Sequence, residues 1–63
     1  MEAKERARSA YGRGQAAFAQ GDFAAAQAAF EEAYANVPNP IVLLSIAESA
    51  AKQQRIDDAL KAY

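Results

Sequence analysis

Gly21-Asp22-Phe23-Ala24-Ala25-Ala26-Gln27-Ala28-Ala29-Phe30 holds a helix stop, a helix start and three apolar anchors in one stretch. Gly21 supplies the left-handed residue that ends a helix. Asp22 follows as a cap, its carboxylate accepting from the free amides of the next first turn. Phe23, Ala26 and Phe30 fall at three- and four-residue steps, so they share one stripe of a helix running to about Asn36. Ala33 and Tyr34 extend that stripe. The spacing returns 33 positions on, where Gly14, Phe23, Ala26 and Phe30 recur as Ala47, Ile56, Ala59 and Tyr63. A period of this length built from two helical patterns marks a helical solenoid. Each unit of such an array leaves an apolar face that a neighbour must cover.

Upstream, Ala7, Ala10, Tyr11, Gly14, Ala17 and Phe18 repeat at helical spacing, which predicts a first helix from about Ala3 to Gln20. Gly12 and Gly14 each cost up to about 1 kcal/mol against alanine there. At Gly14 the second copy also carries a small residue, Ala47, so close approach of a neighbouring helix is expected at that position. Downstream, Asn36-Val37-Pro38-Asn39-Pro40 is a break. The proline forces Asn39 out of the helical region, which suits a cap, and Pro40 takes the first helical position, where its missing donor costs nothing. A third helix therefore starts at Pro40, with Leu43, Leu44, Ile46, Ala47, Ala50 and Ala51 as its expected stripe. Gln53-Gln54-Arg55 stands where the first copy has Gln20-Gly21-Asp22. Two readings stay open here. Asp57 and Asp58 favour a fourth helix start through the helix dipole. The missing glycine favours one fused helix from Pro40 to Tyr63.

The composition agrees with an all-helical chain. Alanine, the best helix former, fills 18 of the 63 positions. There is no cysteine and no histidine. That removes disulfides, thiolate metal sites and the commonest general base and metal ligand. The net charge of −1 gives no global field for nucleic acid, although Lys4, Arg6, Arg8 and Arg13 make the first twenty residues locally basic. No apolar run approaches the roughly 20 residues of a membrane span, and the N-terminal segment has no apolar signal region. A single domain over residues 1–63 is expected, with one repeat at about 7–39 and a truncated one at about 40–63.

These residues resemble the tetratricopeptide repeat family. The first copy offers Gly14, the Gly21-Asp22-Phe23 turn, Ala26, Phe30, Ala33 and Pro38 at the family's spacing. Ala10, Arg13 and Ala17 depart from its large aromatic, leucine and tyrosine. The second copy matches at Leu43, Ile46, Ala47, Ala50, Ala59 and Tyr63 but lacks the turn glycine. Asn39-Pro40-Ile41-Val42-Leu43-Leu44-Ser45-Ile46-Ala47 also resembles repeats of bacterial envelope-associated proteins, which leaves bacterial periplasm and cytoplasm both open. The resemblance implies antiparallel helix-turn-helix pairs stacked as an α-solenoid, with a groove lined by first helices that holds peptides or helices of other proteins. Carried onto this chain, the groove positions are Arg8, Tyr11, Gly12, Gln15 and Ala19, then Ile41, Leu44, Ser45, Glu48 and Lys52. The family's clamp for a chaperone peptide carboxylate needs lysine and asparagine where Tyr11, Gln15 and Ser45 stand, so that clamp is not expected.

Arg8, Tyr11 and Gln15 share one helix face and suit a binding surface, since tyrosine and arginine are favoured at hot spots. Equally, Tyr11 could be buried by the next helix and Arg8 merely solvated. Catalysis finds no footing. Glu31-Glu32 and Asp57-Asp58 are neighbours that point about 100° apart, and Ser9, Ser45 and Ser49 have no histidine to activate them. Gly12-Arg13-Gly14 lies within a helix rather than after a strand, so it is no phosphate loop. The expectation is a non-enzymatic protein-interaction module without cofactor or metal, binding a protein or peptide rather than nucleic acid or membrane. Ile56, Leu60 and Tyr63 would leave apolar surface uncovered, which predicts a homo-oligomer; in the fused-helix reading the last segment is exchanged between copies. A structural self-assembly unit, or a non-catalytic part of a larger enzyme or envelope protein, are the alternatives.

Overall fold

The computed structural model describes the backbone of residues 2–61 and the side chains of residues 2–56. It contains three helices, α1 (Glu2–Ala19), α2 (Phe23–Asn36) and α3 (Pro40–Lys61). α2 packs between the other two.

The α1–α2 turn forms as the sequence predicts. Gly21 is left-handed at φ +82°. Its amide donates to the carbonyl of Phe18 at 3.0 Å, and the Asp22 amide donates to that of Ala17 at 2.9 Å. This is the two-bond closure that satisfies the last carbonyls of a helix. Asp22 Oδ1 then accepts from the Ala25 amide at 3.3 Å. Asp22→Ala is expected to cost about 1 kcal/mol, a fall of roughly 4–8 °C in Tm for a chain this size, read by circular dichroism. An unchanged Tm would mean that the cap does not hold this turn. At the start of α3, Asn39 Oδ1 accepts from the Ile41 amide at 2.9 Å, the capping role expected of it.

The buried core is small: Ala10, Ala26, Phe30, Ala33 and Val42, with Tyr11, Ala17, Phe18, Tyr34 and Ile46 packed against it. The expected stripes of α1 and α2 both face it. Phe30 is its centre. A Cβ built on Gly14 would lie 2.5 Å from the Phe30 ring, whereas one on Gly12 would meet nothing within 4 Å. The close approach at Gly14 is therefore real, and its partner is an aromatic ring. Tyr11 leans on the same ring at 5.4 Å between centroids. Phe18 and Phe23 meet edge-on across the turn at 5.0 Å. Arg13, which replaces an apolar residue of the family pattern, reaches across to pair with Glu32 of α2 on the surface. Exposed pairs of this kind contribute little, about 0.2–1 kcal/mol.

For the second half, the structure takes the fused-helix reading of the two left open, and one expectation, the stripe of α3, is corrected. No turn forms at Gln53-Gln54-Arg55, and α3 runs through these residues without a break. A non-glycine residue in the left-handed conformation costs about 1–2 kcal/mol, and Gln54 stands where Gly21 would be. Glutamine and arginine are good helix formers, so continuation wins. The stripe of α3 is also rotated. Val42 and Ser49 are buried and Ser45, Ile46, Ala50 and Gln53 half-buried, while Leu43, Leu44, Ala47 and Ala51 are exposed. α3 rests on α2 through its 42/46/49/53 flank. Among the described residues no helix lies beside the flank that would meet a fourth one, because α3 continues unbroken to Lys61. Ser49, fully buried, returns its hydroxyl to the Ser45 carbonyl at 2.9 Å.

Candidate protein-binding groove

α1 and α3 stand on either side of a concave face whose floor is α2. Two adjoining hollows occupy it, and Tyr11 lines both. One, of about 310 Å³, is bounded by Gln15, Phe18 and Ala19 of α1, Phe30 of α2, and Ser45 and Glu48 of α3. The other, of about 420 Å³, is bounded by Lys4, Ala7 and Arg8 of α1, Ala33 of α2, and Val37, Asn39, Ile41 and Val42 around the start of α3. Tyr11 is half-buried, its ring against Phe30.

Helical periodicity explains the assembly. Lys4, Arg8, Tyr11 and Gln15 step by four, three and four along α1, so they share a face. Ile41, Ser45 and Glu48 do the same on α3. The groove is apolar along its floor, through Phe30, Ala33 and Val42, and charged at its ends. Lys4 and Arg8 stand at one end and Glu48 at the other.

The structure thus brings together Arg8, Tyr11, Gln15, Ala19, Ile41, Ser45 and Glu48 from the sequence-expected set. Leu44 and Lys52, though exposed on the adjoining side of α3, line neither hollow, and neither does Gly12. Ile56 is exposed on α3. Leu60 and Tyr63 lie outside the described side chains. Sequence reasoning missed Phe30 and Phe18 as groove residues because both read as core. Phe30 is core and also forms the floor; Phe18 packs half-buried against the core and lines the α1 wall. Lys4 was legible as charge but not as a groove residue, for it precedes the repeat.

Among the described residues no group of acidic side chains could hold a metal ion. No buried side-chain nitrogen or oxygen among them lacks a partner. Nor is any helix among them long and apolar enough to cross a membrane.

Three consecutively antiparallel helices with a concave face between the first and third have the architecture of a helical repeat. A family model described as tetratricopeptide repeat matches residues 11–63, and the chain belongs to that family. Repeats of this family are in general protein-interaction modules and generally non-catalytic. No curated protein and no solved structure matches the chain.

Proposed function

We propose that the α1–α3 groove binds a peptide or helix of another protein and that the chain performs no catalysis. The carrying observation is the placement of Tyr11. Its ring is anchored on Phe30 at 5.4 Å and borders both hollows. A rigid aromatic with a polar tip in the middle of an apolar groove is the hot-spot type of residue. The end charges set the preferred ligand. An apolar segment crosses the floor, with an acidic group over Lys4 and Arg8 and a basic group toward Glu48. Arg8, Gln15, Leu44, Ser45 and Lys52 tune specificity around it.

The test is selection of binding peptides from a displayed random library, followed by affinity measurement on variants. Tyr11→Ala is expected to weaken selected peptides about thirtyfold, corresponding to roughly 2 kcal/mol at a hot spot. Gln27→Ala, on α2 and away from the groove lining, should leave them unchanged. Selected peptides indifferent to Tyr11→Ala would contradict the reading.

A second reading accompanies it, favoured by the exposure of Leu43 and Ile56 on α3. The chain self-associates through apolar surface that the fold leaves uncovered, with Ile56, Leu60 and Tyr63 on the donating segment.

A further inference from the structure

The two copies of the repeat differ in burial at matched positions. Ala10 is 0% exposed, whereas Leu43, 33 positions on, is 47% exposed. Gly14 is buried beneath the Phe30 ring, whereas its counterpart Ala47 is exposed. In the first copy the covering element is α2, through Phe23, Ala26 and Phe30. The repeat carries the same element in the second copy, beginning at Ile56. Here that element is not folded back. It continues α3, and Ile56 is 44% exposed. The Cα radius of gyration, 12.4 Å, exceeds the roughly 11 Å of a compact chain of this length, as an outstanding half-helix requires. An apolar acceptor face and the segment patterned to cover it therefore sit on one straight rod, where they cannot meet.

We infer that the Leu43/Ala47/Ala51 face of α3 is covered by the Ile56-bearing half of α3 from a second copy of this chain, docked as α2 docks on α1. This rests on the self-association reading above. The geometry also decides the symmetry. Ile56 follows Ala47 by nine residues, which at about 100° per residue places it on the opposite side of the helix. Two straight helices lying side by side cannot present both the acceptor side and the donor side to each other. The exchange therefore does not close into a reciprocal dimer. Each copy accepts on one side and donates on the other, a heterologous contact that propagates into a ring or an open chain.

Cysteine cross-linking tests this, since the chain has no cysteine of its own. Phe18 and Phe23 face each other across the first turn at 5.0 Å, and their counterparts are Ala51 and Ile56. On a continuous helix these two stand five residues apart, about 7.5 Å in rise and on different sides, so they bond only between copies. An equal mixture of Ala51→Cys and Ile56→Cys is expected to give the mixed disulfide in clear excess of what random pairing gives. The double variant should give a ladder of linked species, and sedimentation of the unmodified chain should show growth beyond dimer with concentration. Leu43→Glu, a charge on the acceptor face outside the core, should abolish the association while leaving the helical signal intact.

Four outcomes would overturn the inference, each differently. A monomer at all concentrations removes the self-association reading with it. Association without the mixed disulfide removes only this docking mode. A double variant that closes within one monomer shows that α3 bends back on itself. A species that stops at dimer refutes the heterologous geometry.

Discussion

Phe30→Ala is expected to abolish the cooperative thermal transition of this chain. Phe30 is 3% exposed, lies on Gly14 and supports Tyr11. Truncating such a ring costs about 3–5 kcal/mol. A chain of 63 residues has only about 3–9 kcal/mol in all, at 0.05–0.15 kcal/mol per residue. The loss is thus comparable to the whole stability. Thermal circular dichroism at fixed concentration should show a broad, non-cooperative decline, with Phe30→Leu retaining a transition. Concentration must be held constant, because association shifts apparent stability by mass action. A sharp melt for Phe30→Ala near that of the unmodified chain would mean that the α1–α2 core is not organised around this ring.

The second large effect is a pair of opposite sign. Gly12→Ala and Gly14→Ala make the same chemical change two residues apart in α1. Helix propensity alone favours both by up to about 1 kcal/mol. At Gly12 nothing lies within 4 Å of the added methyl, so the gain survives and Tm should rise by roughly 4–8 °C. At Gly14 the methyl would enter the Phe30 ring at 2.5 Å. The ring cannot yield freely, being buried. Overpacking costs about 1–3 kcal/mol, which outweighs the propensity gain, and Tm should fall. Differential scanning calorimetry of the two variants under one condition reads the sign directly. A rise for both would show that Phe30 accommodates a methyl and that propensity decides.

Much of the first repeat was legible because its signals are local and agree. Gly21, Asp22, Asn39 and Pro40 each dictate a backbone state, and the structure places the α1–α2 turn and the start of α3 where they do. The α1 and α2 stripes were legible for a related reason, since each helix has a neighbour on its apolar side. α3 was harder. Leu43, Leu44, Ile46, Ala47, Ala50 and Ala51 are apolar over a broad arc, so periodicity could not say which flank meets α2. Packing decided it through Val42 and Ser49, and Ser49 is polar enough to escape a hydrophobic pattern. The absence of a turn at Gln54 was legible as a missing glycine. What the residues could not reveal alone was that helix propensity at Gln53, Gln54 and Arg55 outweighs the apolar pull toward a hairpin.

The groove was only partly legible, for a similar reason. The α1 positions came from the family resemblance, and helical spacing agrees by keeping Arg8, Tyr11 and Gln15 on one face. The far wall depends on how α3 rotates against α2, and that rotation brings in Ile41, Ser45 and Glu48 while leaving Leu44 and Lys52 at its margin. Phe30 carries both tasks, holding α1 to α2 and forming the floor on which a ligand would lie. Substitutions that loosen the core should therefore weaken binding as well.

The most direct test of the central claim is an amide chemical-shift titration of the isotopically labelled chain with a library-selected peptide. Binding in the α1–α3 groove predicts the largest shifts at Arg8, Tyr11, Gln15, Ser45 and Glu48, with Ala24, Ala28 and Glu31 on the outer side of α2 nearly still. Shifts concentrated on the outer side of α2, with the groove residues unmoved, would contradict the account.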